Sequence, residues 1–219
     1  MKYRTVFDII GPIMIGPSSS HTAGAARIGR AARALFGRKP KKVTITFYGS
    51  FAKTYRGHGT DIAIVGGVLD FDTFDKRIVD SLKIAREQGI EVIFQESEEV
   101  PDHPNTARIL LEDENGSTEV VGISIGGGKM EITELNGFSL NLSGNAPTLL
   151  VLHHDRYGAI ATVAGILARH QINIGYMQVS RKEKGSLALM TIETDQSVSE
   201  EVKAEIEAQE GITGVTVLS

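Results

Sequence analysis

The chain contains no cysteine. Disulfides and a thiolate nucleophile are therefore excluded, and any iron–sulfur chemistry would need thiolates from another chain. Long apolar runs are missing as well. No stretch approaches the roughly 20 apolar residues that span a bilayer. The N-terminal MKYRTVFDIIGP is too short in its apolar part for a secretory signal, and Asp8 interrupts it. Nor is there an excess of positive charge. The net charge is −4, whereas a nucleic-acid surface usually shows as a strong basic surplus. Residues 148–219 carry 6 Lys and Arg against 9 Asp and Glu, and the remainder carries 17 against 18, with no basic stripe in either part. These absences predict a soluble, cytoplasmic chain that binds neither nucleic acid nor membrane. What remains, 219 residues with 41% hydrophobic content, is enough for one large domain or two small ones.

The most informative stretch that is present is Gly16-Pro17-Ser18-Ser19-Ser20-His21-Thr22-Ala23-Gly24, followed at once by an alanine-rich helix over 20–36. A helix start leaves several backbone N–H groups without internal partners, and its positive dipole end attracts anions. Three serines exceed what one N-cap needs. Two readings follow: a pocket for a carboxylate or phosphate, or an over-decorated cap with His21 exposed.

The rest of the first region reads as mixed α/β. VTITFYGS at 43–50 alternates apolar and polar residues, as a strand does. A glycine-rich stretch, Gly49, Gly57 and Gly59, leads to TDIAIVGGVLD, and its second half has the character of a buried helix. This places His58 in a flexible loop. Residues 75–88 predict an amphipathic helix with Ile78, Leu82 and Ile84 or Ala85 on one side. EVIFQES is a strand. Asn115-Gly116 and Asn136-Gly137, each between alternating runs, are hairpin turns. GNAPT at 144–148 reads as a linker, which places domains at 1–145 and 148–219. The second has the order β-α-β-β-α-β of the ferredoxin-like split unit, with Ser197 or Ser199 capping its second helix.

That C-terminal segment resembles an ACT domain in Asp155-Arg156-Tyr157-Gly158, Ala168-Arg169-His170 and Ile172-Asn173-Ile174. The resemblance implies pairing through side-by-side sheets and an amino-acid ligand near Asp155, Tyr157, Gly158, Ala159 and Asn173. A structural pairing domain with an empty site is the alternative. The first region resembles the β subunit of bacterial iron–sulfur L-serine dehydratase in GPSSSHTAGAARIGR at 16–30, YGSFAKTYRGHGTD at 48–61 and HPNT at 103–106. A weaker similarity links its fold to the allosteric substrate-binding domain of some D-3-phosphoglycerate dehydrogenases. The expected fold is therefore α/β (α+β): a mixed α/β allosteric-substrate-binding-like domain, then a ferredoxin-like βαββαβ ACT domain.

The serine dehydratase resemblance implies a two-chain lyase. A [4Fe–4S] cluster would be held by cysteines of an α chain, with no metal ligand in this chain, and L-serine would become pyruvate and ammonia. Removing the weakly acidic Cα proton needs a base and stabilisation of carboxylate charge, and hydroxide departure is helped by a Lewis acid. His58 is the first candidate base and His21 an orienting partner; each could also be a surface histidine. Ser18, Ser19, Ser20, Thr22, Ser50, Thr60, Asp61, His103 and Asn105 are the candidate substrate contacts. Asp61 could equally cap a helix, and His103-Pro104-Asn105-Thr106 could be an ordinary turn. Lys53 and Tyr55 are weaker candidates, while Gly126-Gly127-Gly128 reads as a tight turn. His153 and His154, adjacent on a strand, point to opposite faces and read as structural. Two other readings stay open: a purely regulatory amino-acid-binding subunit, and a self-contained enzyme with a metal on His21, His58 and His103.

Overall fold

Alternating burial along Lys42–Tyr48 makes strand β1, whose Val43, Ile45 and Phe47 are fully buried. Four more strands of the first unit join this sheet: β2 (Glu91–Glu96), β3 (Asn105–Asp113), β4 (Gly116–Gly126) and β5 (Lys129–Leu135). Their order is β2-β1-β3-β4-β5, with β1 and β2 parallel and the other neighbours antiparallel. This is a computed structural model. It describes residues 13–218, so the reading of the N-terminal MKYRTVFDIIGP lies outside the described residues. The chain divides into two units, Met1–Asn136 and Gly137–Ser219.

In the first unit the alanine-rich segment folds as α1 (Gly24–Phe36), closed by Gly37 in the left-handed region at φ +74°. It is preceded by a wider π-helical turn, Ser19–Ala23, in which the Gly24 N–H reaches back five residues to Ser19 O. Such turns insert one extra residue and often mark functional sites. Helix α2 (Gly49–His58) leaves β1 directly, and α3 (Thr60–Val68) follows after Gly59. Here the sequence expectation is corrected: His58 is the last residue of a helix, not part of a flexible loop. The glycines punctuate this helix rather than break it. Gly49 (φ +55°) opens it, and Gly59 (φ +66°) ends it by donating to Tyr55 O. Phe51 and Tyr55, four residues apart, bury its inner face.

The helix expected over 75–88 is two pieces. A 3₁₀ turn, Lys76–Asp80, is capped by Asp75, and α4 runs Ser81–Glu87. Helices α1 and α3 cross at glycines. A Cβ on Gly29 would lie 2.1 Å from Ile64 O, and one on Gly67 would lie 2.0 Å from Ala26 O. The two backbones touch, which sets the start of α3 beside the turn that carries His21.

The second unit holds β6 (Phe138–Leu142), β7 (Thr148–His154), α5 (Ala159–Arg169), β8 (Ile174–Arg181), β9 (Leu187–Thr194), α6 (Glu200–Glu207) and β10 (Ile212–Leu218). From β7 onward this is the expected βαββαβ order, in an antiparallel sheet ordered β10-β7-β9-β8. Leu149, Val151, Met190 and Ile192 of the sheet pack with Val163, Ile166, Leu167, Val202 and Ile206 of the helices. Ser199 caps α6 by accepting from the Val202 N–H. Among the described residues no helix is long and apolar enough to cross a membrane.

Candidate functional site

Three segments far apart in sequence meet in the first unit. The Ser18 hydroxyl caps the π turn by accepting from the His21 N–H at 3.1 Å. His21 then uses both ring nitrogens: Nδ1 lies 3.0 Å from Ser20 Oγ, and Nε2 lies 3.1 Å from Ser50 Oγ. Ser50 is at the start of α2, and its N–H donates to Pro104 O at 2.7 Å. So the serine-rich turn joins the start of α2, and α2 joins the turn at 103–106. Gly49 allows this approach, because a Cβ there would lie 2.7 Å from Pro104 O.

His58, at the end of α2, presents its ring 5.0 Å from that of His21. His58 is exposed, and neither of its ring nitrogens makes a hydrogen bond among the described residues. Phe51 stands edge-on to His21 at 5.3 Å. Burial and the neighbouring His58 hold the His21 imidazole below its usual pKa. Both effects favour the uncharged form of His21.

The other residues singled out from the sequence occupy distinct places. Ser19 is the half-buried first residue of the π turn. Thr22 is buried and donates to His58 O at 3.3 Å, bracing the turn against the end of α2. Thr60 is fully buried at the start of α3, and its hydroxyl has no partner among the described residues. Asp61 is half-buried, and its Oδ1 accepts from the Ile62 N–H at 2.8 Å. Burial pushes this carboxyl above its usual pKa, against the pull of the Ile62 and Asp61 N–H groups and of Arg56. His103 Nδ1 accepts from the Asn105 N–H, and its carbonyl accepts from the Thr106 hydroxyl. Asn105 donates through Nδ2 to Ser124 O at 3.4 Å.

Lys53 is exposed, whereas Tyr55 stacks on Phe47 at 4.6 Å and belongs to the core. Gly126, Gly127 and Gly128 all have positive φ in the tight β4–β5 turn. A metal on His21, His58 and His103 finds no support in the donors: both nitrogens of His21 and Nδ1 of His103 are engaged. Among the described residues no group of three or more His, Cys, Asp or Glu side chains is placed to hold a metal.

Sequence reasoning missed Ser124, and it noted Pro104 within HPNT without giving its carbonyl a role. Ser124 Oγ is buried with no hydrogen-bond partner among the described residues, against the start of α1, where a Cβ on Gly24 would lie 2.0 Å away. Nothing local in sequence announces either contact. The β3–β4 register brings Ser124 there, and Pro104 takes part through its carbonyl alone.

In the second unit, Gly158 at φ +85° opens α5, with Tyr157 wholly exposed before it and Ala159 buried after it. Asp155 accepts from the Gly185 N–H at 2.9 Å and from Arg181 at 3.0 Å. These two contacts hold its carboxyl below the usual range. Asn173 donates to Asp195 Oδ2 at 2.7 Å, and its N–H donates to Gln196. No hydrogen bond joins Asp155 to Asn173. His153 is buried with Nδ1 on His154 O, while His154 is exposed.

A family model described as serine dehydratase beta chain matches residues 5–86, and one described as ACT domain matches 147–211. The chain is 60% identical over 219 residues, the full length of both, to the probable L-serine dehydratase, beta chain, of Bacillus subtilis strain 168. It is 36% identical over 215 residues, 97% of each, to the L-serine dehydratase, beta chain, of Peptoniphilus asaccharolyticus. It is also 26% identical over 190 residues to D-3-phosphoglycerate dehydrogenase of a Synechocystis strain, covering 86% of this chain and 34% of that protein. The near-complete coverage at these identities, with the serine–histidine turn and α2 both inside the first matched segment, places the chain in the L-serine dehydratase β-chain family, with an ACT domain at its C-terminal end.

Proposed function

We propose that this chain, paired with a cysteine-bearing α chain, forms one wall of the pocket in which L-serine is converted to pyruvate and ammonia. The supporting observation is the meeting of Ser18–His21, Ser50–His58 and the 103–105 turn through the His21–Ser50 and Ser50–Pro104 bonds. The overall chemistry removes the Cα proton and the β-hydroxyl of serine, leaving an enamine. Its imine form takes up water to give pyruvate and ammonia.

His58 is the residue assigned to the Cα proton. Among the described residues its ring nitrogens make no hydrogen bond, and an imidazole can take up and release a proton. The amides that open the π turn, with Ser18 and Ser19, suit the substrate carboxylate. Asn105 and Asp61 suit its ammonium group. A [4Fe–4S] cluster on the α chain would supply Lewis acidity for hydroxide departure. This chain has no cysteine and, among its described residues, no cluster of metal donors. Its own residues do not fit the cluster, so the ligands fall to the α chain. The second unit is assigned to amino-acid sensing and to self-association, and the assembly to the cytoplasm.

The test is turnover of serine by this chain alone, by the assembled pair, and by the pair carrying His58→Ala. The lone chain is expected to be inactive, and His58→Ala to lower kcat on the order of 100-fold or more. Full activity of the lone chain would refute the partner requirement. Near-normal turnover of the His58→Ala pair at saturating serine would leave only a regulatory role.

A further inference from the structure

The serine–histidine cluster holds more order than anion binding requires. Ser18 Oγ lies 3.3 Å from Ser20 Oγ, Ser20 Oγ lies 3.0 Å from His21 Nδ1, and His21 Nε2 lies 3.1 Å from Ser50 Oγ. The His21 N–H occupies one lone pair of Ser18 Oγ. Each hydroxyl has one proton to give, and a neutral imidazole has one N–H and one bare nitrogen. Burial and the nearby His58 favour the neutral form of His21. Three arrangements then satisfy every link. With Nε2 protonated, Ser18 donates to Ser20, Ser20 to Nδ1, and Nε2–H to Ser50, leaving the Ser50 proton free. With Nδ1 protonated, Ser50 donates to Nε2 and Nδ1–H to Ser20; Ser20 then donates to Ser18, leaving the Ser18 proton free, or Ser18 donates to Ser20, leaving the Ser20 proton free.

We propose that Ser18, Ser20, His21 and Ser50 form a reversible hydrogen-bond relay, in which a change of His21 tautomer offers a donor hydroxyl at Ser50 or in the Ser18–Ser20 pair but not at both. The proton count balances. When Ser50 gives its proton outward, Nε2 passes its own to Ser50 Oγ, Ser20 passes its proton to Nδ1, and Ser18 passes its proton to Ser20. Ser18 then takes one proton from solvent, so no charge accumulates on the chain of groups. Within the function proposed above, on which this catalytic consequence rests, Ser50 directs a hydrogen bond at a substrate oxygen, and His21, which acts through it, is the positioning residue. Ser20 is accordingly committed to the relay.

The relay is tested by ¹⁵N NMR of the histidine rings in the full chain at neutral pH, with His21 identified by its loss in His21→Gln. The wild-type chain is expected to show ring shifts averaged between the two tautomers. A buried N–H is harder to leave unpaired than a bare acceptor, so the proton should follow the surviving serine. Ser50→Ala is then expected to move His21 toward Nδ1–H, and Ser20→Ala toward Nε2–H. Ser50→Thr, which keeps the hydroxyl, is expected to stay with the wild type. The relay is overturned if both alanine variants shift His21 the same way, if neither shifts it, or if His21 is an imidazolium at neutral pH. In the assembled pair, Ser50→Ala is expected to lower kcat on the order of 10- to 100-fold with KM changed by no more than about twofold, and Ser50→Thr to restore it. A kcat unchanged in Ser50→Ala removes the catalytic role of Ser50. If the wild-type pair does not turn over serine, the proposed function fails, and the tautomer measurement still decides the relay.

Discussion

Replacing Gly29 by alanine probes the contact that places the site. Gly29 lies in α1, and a methyl group there would stand 2.1 Å from Ile64 O, 3.0 Å from Ile64 C and 3.1 Å from Val68 N. All three are backbone atoms of α3, so no side chain can swing away. An ordinary carbon–oxygen contact needs about 3.4 Å, so the helices must part by roughly 1.3 Å. Overpacking of this kind costs about 1–3 kcal/mol. A backbone obstacle puts Gly29→Ala near the top of that range. Alanine returns about 1 kcal/mol through its better helix propensity. The expected net loss is about 2 kcal/mol, or roughly a 30-fold rise in the unfolded population of the first unit. Hydrogen exchange of the α1 and α3 amides would report it as a similar loss of protection.

Gly57→Ala is the internal control. Gly57 is also helical, but its added methyl meets nothing within 4 Å. The same chemical change there is expected to leave protection unchanged or raise it by up to about fivefold. If Gly29→Ala protects α1 and α3 as well as the wild type does, the claim that touching backbones fix this crossing is wrong.

Two further outcomes are expected. The Arg38 guanidinium, with the Asn115 N–H, holds the Asp113 carboxyl at about 2. A carboxylate depressed in the folded state stabilises fully above its unfolded pKa, and that contribution is lost as pH falls toward 2. Carboxyl NMR titration should find Asp113 near 2 in the wild type and back toward the ordinary range in Arg38→Gln; an unmoved titration would contradict the pairing. In the second unit, titrating the full chain with L-serine should shift the Gly158 and Ala159 amides, where the left-handed Gly158 exposes the start of α5. Silence of these amides toward serine and the other common amino acids would remove the sensing role.

Much of this was open to reading in the sequence. The ferredoxin-like order of 148–218 was legible because six short segments of strand or helix character follow one another in a single topology, and Ser199 caps where a cap was expected. Asn136-Gly137 turned where such a pair must, with φ of +48° and +79°. The helix ending at His58 was not legible. Its glycines look the same in sequence whether they flank a helix or fill a loop, and only the packing of Phe51 and Tyr55 into the core decides between these.

The candidate site divides along the same line. Residue types alone announced hydroxyls and imidazoles at a helix start, and the missing cysteines sent any cluster to another chain. Which groups touch was decided by tertiary structure, because it depends on non-local geometry. The bond from His21 to Ser50 spans 29 residues, and the Ser50 N–H reaches a carbonyl 54 residues on. The start of α1 rests on Ser124, brought there by strand register. Local sequence sets propensity and chemistry. The partner of each hydrogen bond is set by where the β1–β3–β4 ladder and the α1–α3 glycine crossing bring distant backbones together.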